Sequence, residues 1–489
     1  MKLSFFGGAG QVTGANYLLE TDSGQKIVID CGLSQGSKYA EDFNYADFSY
    51  DPSQVDFVFI THSHIDHMGR LPKLYKDGFR GKIYANTPAK DLMTASLPDS
   101  LSHIEREAKE DGHPPLYEGK DIKGMLELVQ SLDFHEKVDL QGDVEAQLHD
   151  AGHILGSSII EIKWKEGEKY KRIYFSGDLG NPPTPFLNPT ELVRNADYVV
   201  IESAYGDRVH EDRELRKGKL EDAVENTVKE GGALIIPSFA VERTQELLFE
   251  LNELIENKRI PRIPVFVDSP LAIKITEVYR KYQKNFNKQA SELIESGDDI
   301  FHFPGLKMTR TVNESKSINE VPPPKIIIAG SGMSVGGRIL HHERKYLPDP
   351  KSTMLFVGYQ VIGTLGRAIL EIKDKRKVGK KSNSVRIFGN EIPVNCNIVA
   401  IGGYSAHADQ LGLLRWVKAA NSYLESDESC SNETTQRQNE QNKDEGEHRL
   451  KKVFVVQGER EVSEVLASKI KDILVVDAVV PKDGDSYEL

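Results

Sequence analysis

Short apolar runs separated by glycine-containing turns predict that the first part of the chain is rich in β-strands. The clearest run is 55–60, which is continuously apolar from Phe57 to Ile60 and therefore indicates a buried strand. Residues 88–130, by contrast, have a mostly helical pattern. Further strands are predicted at 2–6, 16–19, 26–30, 159–164, 172–176 and 198–201.

From about residue 206 the pattern changes to strands that alternate with helices. Such alternation implies a parallel sheet covered by helices. Because β-rich sequence returns near residue 397, we predict one domain formed by 1–205 and 397–489, with an α/β domain at 206–396 inserted between its two parts. Strands are predicted at 233–237, 265–268, 325–329 and 353–358, and helices at 211–230, 242–257 and 272–283.

The overall composition is that of a soluble globular protein, with 39% hydrophobic and 28% charged residues. No stretch is long and apolar enough to cross a membrane, so no membrane contact is expected. Residues 425–447 contain no aliphatic or aromatic side chain, and we predict a disordered insertion there. The net charge of −13 argues against a protein that coats nucleic acid generally, but it leaves room for a local basic groove.

The three cysteines, Cys31, Cys396 and Cys430, form no close pair, so a disulfide framework is not expected. The N-terminus also lacks the apolar core and cleavage site of a signal peptide. Both observations predict a cytoplasmic protein. The sequence does not fix the oligomeric state and is compatible with a homodimer.

Four potential metal ligands, His62, His64, Asp66 and His67, follow directly after the predicted strand 55–60. Burying so many polar groups without a partner would be costly. Imidazoles and carboxylates together suit Zn²⁺, and zinc sites with an open position activate water. The cluster therefore predicts a metal centre that hydrolyses its substrate.

Two later residues carry matching chemistry. His153 lies between small residues in a predicted turn, and Asp178 follows the predicted strand 172–176. Taken alone, His153 is typical of a loop histidine and Asp178 of a turn. Together with the first cluster they supply the imidazoles and the bridging carboxylate that two adjacent metals need.

These motifs, in this order, resemble the metallo-β-lactamase superfamily. The resemblance implies an αββα sandwich with two zinc ions at one edge. It assigns His62, His64 and His153 to one zinc, Asp66 and His67 to the other, and Asp178 as the bridge. It also places Asp66 among the catalytic residues.

Later segments narrow the resemblance to the β-CASP group of nucleases, which includes the endonuclease of the cleavage and polyadenylation machinery and ribonuclease J. These segments are 199–207, 329–333, 358–367 and 402–409. The resemblance implies that His407 is a general acid and that Glu202 orients it. From the residues alone, a solvated carboxylate is the alternative for Glu202, and the start of a helix that Ser405 caps is the alternative for His407.

Backbone N–H groups that precede a helix bind phosphate readily, and the segment before the helix predicted from residue 338 has this character. We therefore assign substrate-phosphate binding to Ser331, Gly332 and Met333, with an ordinary glycine-rich turn as the alternative, and we add Arg367 from the segment 358–367 that resembles the family.

Gln457 departs from the family pattern, which has a histidine at this position as a ligand of the second zinc. An amide oxygen is a weaker zinc ligand than an imidazole. Three outcomes are open: Gln457 binds the metal through its oxygen, a water takes the position, or the second metal is loosely held or replaced by Mn²⁺.

The resemblance implies a zinc-dependent ribonuclease that hydrolyses phosphodiester bonds of single-stranded RNA by a two-metal mechanism, with internal cleavage favoured. Alternatives are a 5′–3′ exoribonuclease or a DNA nuclease of the same group, whose members carry valine at the position of Gln457. A non-catalytic RNA-binding scaffold is the alternative from another class.

Overall fold

The computed structural model describes residues 1–35, 38–211, 213, 215–361, 363–377, 383–422 and 450–489. The predicted insertion at 425–447 lies outside the described residues. The described strands are β1 (Lys2–Phe5), β2 (Tyr17–Glu20), β3 (Lys26–Ile29), β4 (Phe57–Ile60), β5 (Lys82–Asn86), β6 (Val129–Leu132), β7 (Lys137–Asp139), β8 (Val144–Asp150), β9 (Ser158–Glu166), β10 (Lys169–Phe175), β11 (Tyr198–Glu202), β12 (Ala233–Pro237), β13 (Val265–Asp268), β14 (Leu306–Met308), β15 (Lys325–Ala329), β16 (Thr353–Phe356), β17 (Ser384–Ile387), β18 (Asn390–Pro393), β19 (Asn397–Ala400), β20 (Lys452–Val456), β21 (Ala478–Val479) and β22 (Ser486–Glu488).

The described α-helices connect these strands and cover the sheets. They are α1 (Lys38–Tyr45), α2 (Ile65–Met68), α3 (Leu71–Lys76), α4 (Thr87–Asp111), α5 (Gly119–Glu127), α6 (Leu215–Glu230), α7 (Arg243–Glu256), α8 (Pro270–Lys281), α9 (Lys288–Glu295), α10 (Val312–Ser317), α11 (Ile339–Tyr346), α12 (Leu365–Lys377), α13 (Gln410–Ala420) and α14 (Arg460–Leu474). Among the described helices, none combines the length and the apolar character that crossing a bilayer requires.

Two seven-stranded sheets pack face to face, in the orders β22-β1-β2-β3-β4-β5-β6 and β21-β20-β11-β10-β9-β8-β7. Side chains alternate between the two faces of each strand: on β9, Ile160 and Ile162 enter the core between the sheets, and Ile159 enters the core under α13 and α14. Burying each isoleucine contributes about 1.5–3 kcal/mol, which fixes the strand register.

Helices cover the outer face of each sheet. Ile122 and Met125 of α5 join Met93 of α4 in the core outside the first sheet, while Trp416 and Leu466 lie in the core outside the second. The predicted αββα sandwich is therefore confirmed.

The inserted sheet has six parallel strands in the order β14-β13-β15-β12-β16-β19. Its central strands are buried on both faces, as expected for a parallel sheet covered by helices. One strand differs from the predicted division at residue 397. β19 (Asn397–Ala400) pairs with β16 and so belongs to the inserted sheet. An apolar run by itself does not specify which sheet edge it joins.

Several strand ends meet at one edge of the sandwich. β10, β11 and β20 are parallel neighbours, so Ser176, Glu202 and Gln457 lie at the same edge. Ser158 donates its backbone N–H to the carbonyl of Thr61 at 2.7 Å, which ties the loop after β4 to that edge. The loop after β19 leaves the inserted sheet and reaches the same edge, where the Ala408 N–H donates to Leu179 O at 2.8 Å.

Candidate metal centre

The loop that carries the first four candidate ligands is anchored by Asp30. This buried carboxylate accepts hydrogen bonds from the Thr61 N–H and hydroxyl, both at 2.8 Å. It also lies 2.7 Å from His67 Nδ1. Asp30 therefore fixes the His67 ring with Nε2 turned to the site, as carboxylates do behind many metal-binding histidines. Sequence reasoning missed Asp30, which it assigned to the end of a strand.

A tight backbone approach brings Asp178 to the same loop. Gly177 has φ of 53°, and a Cβ there would lie 2.6 Å from Thr61 Cβ. Only glycine fits this combination of conformation and contact. The segment after β10 therefore places Asp178 against the loop after β4.

Three imidazoles converge with one oxygen of Asp178 in what we call the nitrogen-rich half of the site. His64 Nδ1 lies 3.0 Å from His62 Nε2 and 3.3 Å from His153 Nε2. Asp178 Oδ2 lies 3.3 Å from His62 Nε2 and 3.5 Å from His153 Nε2. Zinc ligands at about 2.0–2.1 Å from a tetrahedral ion are about 3.3 Å apart, so these donors fit one metal ion.

The imidazoles of the nitrogen-rich half are held neutral. Burial, together with neighbouring imidazoles, lowers the pKa of His62 and places the pKa values of His64 and His153 well below their ordinary value. Neutral imidazoles have a free lone pair, which is the form that binds metal.

The other oxygen of Asp178 faces what we call the oxygen-rich half, made of Asp66, His67 and Gln457. Asp178 Oδ1 lies 3.3 Å from His67 Nε2, and Asp66 Oδ2 lies 3.9 Å from the same nitrogen. Burial alone would lower the pKa of His67, but Asp178, Asp30 and Asp66 outweigh it and hold that pKa well above its ordinary value. The two oxygens of Asp178 therefore face two different sets of candidate ligands.

Gln457 lies inside this second set. Its buried side-chain amide is 2.8 Å from His67 Nε2 and 3.2 Å from Asp178 Oδ1 through the atom assigned as nitrogen. A half-turn of the amide puts the oxygen in the same position. The backbone N–H of Gln457 donates to Gly8 O at 2.6 Å and holds the residue in place.

Glu202 and His407 form a buried pair beside Asp178. Glu202 is the last residue of β11 and is fully buried, so it is not a solvated carboxylate. Its Oε1 accepts the Leu179 N–H at 2.6 Å, and its Oε2 lies 3.2 Å from His407 Nδ1. Burial opposes protonation of His407, but Glu202 and Asp178 raise the pKa of His407 to about 9.

His407 lies before helix α13 and is held by the sandwich. It forms an isolated antiparallel bridge with Gly180. Asp409, and not Ser405, caps the helix by accepting the Gly412 N–H at 2.9 Å. His407 is therefore not a residue of the helix start.

The predicted phosphate-binding residues lie at the carboxyl edge of the inserted sheet. Ser331, Gly332 and Met333 follow β15, and Gly366 N–H at the start of α12 donates to Met333 O at 3.1 Å. Arg367 already has a partner, Glu371, at 3.0 Å. The helix after this loop begins at Ile339, one residue later than predicted.

Three family models match the chain. The metallo-β-lactamase superfamily matches residues 9–197, the Beta-Casp domain matches 244–369, and a Zn-dependent metallo-hydrolase RNA specificity domain matches 391–422. The first match contains every candidate histidine and aspartate ligand and the third contains His407. Gln457 lies beyond all three.

Curated relatives cover most of the chain. Ribonuclease TTHA0252 of Thermus thermophilus is 36% identical over 418 residues, which are 86% of this chain and 91% of the relative. Transcription termination factor FttA of Methanosarcina mazei is 31% identical over 427 residues, and FttA of Methanocaldococcus jannaschii is 31% identical over 428 residues. Each FttA alignment covers 86% of this chain and 64% of the relative.

Proposed function

Because this chain belongs to the β-CASP group of the metallo-β-lactamase superfamily, and is thus a metal-dependent hydrolase, we propose that it is a zinc-dependent ribonuclease that cuts single-stranded RNA internally. The observation that carries the proposal is the position of Asp178. Its two oxygens face two ligand sets, while His407 Nδ1 lies 3.7 Å away. RNA as substrate is supported by the matched RNA specificity domain and by the name of the Thermus relative.

The ligand assignment follows the two halves of the site. His62, His64 and His153 would hold one zinc, and Asp66, His67 and the Gln457 oxygen the other, with Asp178 between them. A bound pair of zinc ions supplies an activated water and stabilises negative charge on phosphate oxygens. Because oxygen donors dominate the second set, Mn²⁺ is a competitor there.

His407 supplies the proton in this proposal. With a pKa of about 9 it is protonated at neutral pH, and Glu202 engages its Nδ1. The Nε2–H is then the proton that goes to the departing 3′ oxygen, which leaves a 5′ phosphate on the other fragment. Ser331, Gly332, Met333 and Arg367 would hold a neighbouring phosphate of the substrate.

Location, assembly and domain limits follow as further proposals. Cys31 is buried and forms no disulfide, which supports a reducing cytoplasm. The homodimer and the domain limit at residue 205 stay predictions, whereas the limit at 396 moves beyond β19, which pairs with the inserted sheet.

The test is cleavage of end-labelled single-stranded RNA and of the matched DNA. We expect internal cuts in RNA that a chelator abolishes. Full activity without metal, or cleavage of DNA alone, would contradict the proposal; fragments released only from the 5′ end would replace internal cleavage by an exonuclease mode.

A second arm tests the proton donor. His407→Ala should lower turnover by about 10²- to 10⁴-fold while the metal content stays unchanged, because general acid catalysis contributes that much. Equal turnover in wild type and variant would remove His407 from the reaction.

A further inference from the structure

Two exposed aromatic side chains follow adjacent strands at the carboxyl edge of the inserted sheet. Phe239 follows β12 and Tyr359 follows β16, and they expose 40% and 53% of their surface. β12 and β16 are adjacent parallel strands, so both residues leave the sheet at one edge. Ligands of open α/β sheets bind at this edge, which distinguishes the pair from scattered surface aromatics.

This edge is continuous with the candidate active site. β16 also pairs with β19, the strand that leads to His407. Burial raises the pKa of Tyr205, and Tyr359 is close enough to raise it further. The rings of Tyr205 and His407 are 6.0 Å apart. Tyr359 therefore follows a strand adjacent to the one that leads to the proposed proton donor, whose ring neighbours that of Tyr205.

The Phe239 ring is supported on one side by glycine backbone. A Cβ at Gly332 would lie 2.6 Å from Phe239 Cδ2, and one at Gly358 would lie 3.5 Å from its Cε2. Gln360 joins these two loops, because its Nε2 donates to Gly332 O at 3.0 Å and to Gly358 O at 3.1 Å. One face of the ring is thus held by a fixed contact, and the rest of the ring is exposed. Because the ring is already held, little conformational freedom is lost when a flat ligand stacks on it.

We propose that Phe239 and Tyr359 form a stacking platform for bases of single-stranded RNA next to the scissile phosphate. This inference rests on the proposed function. Every nucleobase has a flat face, so the platform would bind bases with little sequence preference. The net charge of −13 gives RNA little general attraction, which increases the weight of contacts that do not depend on phosphate charge.

The experiment measures binding of fluorescent single-stranded RNA to the metal-loaded full chain in the His407→Ala background. Phe239→Ala and Tyr359→Ala should each weaken binding by about 5- to 150-fold, the range that stacking of one base provides. Phe239→Tyr and Tyr359→Phe keep a ring and should restore most of the affinity. Tyr170→Ala removes an equally exposed ring (46%) at the far end of β10 and is the matched control, with no expected change.

An RNA of the same length with abasic sites separates stacking from a structural effect. The loss caused by Phe239→Ala should be much smaller on abasic RNA than on ordinary RNA. Equal losses on both ligands, or no loss on either, would overturn the platform even if the wild type binds and cuts RNA. If the wild type neither binds nor cuts RNA, the proposed function itself fails. If Phe239→Ala leaves RNA binding unchanged but weakens binding to another protein, the surface is a protein-docking site and the platform is overturned.

Discussion

The two halves of the candidate metal centre share Asp178 but differ in their chemistry. In the nitrogen-rich half, burial keeps His62, His64 and His153 neutral. In the oxygen-rich half, three carboxylates hold a proton on His67, and the remaining donors are oxygens. The comparison teaches that ligand number alone does not set affinity. Under the proposed ligand assignment, the first half offers neutral imidazoles, whereas the second must release a proton from His67 and offers oxygen donors, which bind zinc more weakly.

The strongest way to break the comparison is to remove the histidine that both other imidazoles face. His64 Nδ1 lies 3.0 Å from His62 Nε2 and 3.3 Å from His153 Nε2. We expect His64→Ala to lower the zinc affinity of this half by more than about 100-fold and to abolish RNA cleavage. The loss should be this large because removing even a residue that only supports a metal ligand costs about 10- to 100-fold. Elemental analysis and an RNA cleavage assay measure the two effects; a variant that keeps both zinc ions would contradict the ligand assignment.

A pH series should separate the halves, because only the second half holds a proton on the histidine that would bind the metal. The pKa of His67 lies above its ordinary value, so at pH 6 the second metal competes with a proton, and raising the pH removes that competition. Affinity of the second site should rise with pH, by up to about tenfold per unit at pH values below the pKa of His67, because one proton is displaced.

The first site is the internal control for the pH series. His64 and His153 have pKa values well below the ordinary value and carry no proton to displace in this range, so first-site affinity should stay nearly flat. Zinc titration calorimetry at pH 6, 7 and 8 reports both sites. Parallel slopes at the two sites would show that the halves do not differ in this way.

Restoring an imidazole should make the halves more alike. Gln457→His should tighten the second metal by about 10-fold or more, since an imidazole is the stronger zinc ligand. Gln457→Leu, which has no donor atom, is the matched control and should loosen it. Competition with a chelator of known affinity measures how tightly each variant holds the second metal. Equal metal stoichiometry in the wild type, Gln457→His and Gln457→Leu would mean that position 457 does not bind metal.

The smallest expected change concerns Asp30, which contacts His67 directly and reaches the other candidate ligands only through Thr61. Asn tolerates the φ of 58° at this position and keeps an oxygen for the Thr61 N–H. Asp30→Asn should therefore weaken the second site by about 10-fold and leave the first site unchanged. Loss of both metals would instead show that Asp30 organises the whole loop.

The sequence predicted the inserted strands better than the sandwich strands. Central parallel strands are continuous apolar runs, so β12, β13 and β15 were predicted with their observed limits. β8 (Val144–Asp150) was missed, although its alternation of buried and polar residues is the pattern of a half-buried strand. β19 was predicted as a strand, but its pairing with β16 was not, since that pairing depends on the path of the whole chain.

The residues of the candidate site also divide into those that a local sequence pattern predicts and those whose roles depend on the path of the chain. His62, His64 and His67 were found because they are close in sequence and form a motif. Asp30 was missed because its role depends on a turn that brings it beside Thr61, and turns of this kind leave no periodic signal. Asp409 rather than Ser405 caps α13, since both residues favour helix starts and only the backbone path decides between them.

The order of the elements along the chain has a consequence for synthesis. The ligands from His62 to Asp178 are translated early, whereas His407 and strand β20 follow the entire inserted domain. A growing polypeptide on the ribosome therefore has the candidate metal ligands long before it has the proposed proton donor. If the proposed mechanism holds, the chain gains the ability to cleave its substrate only after the inserted domain has been translated.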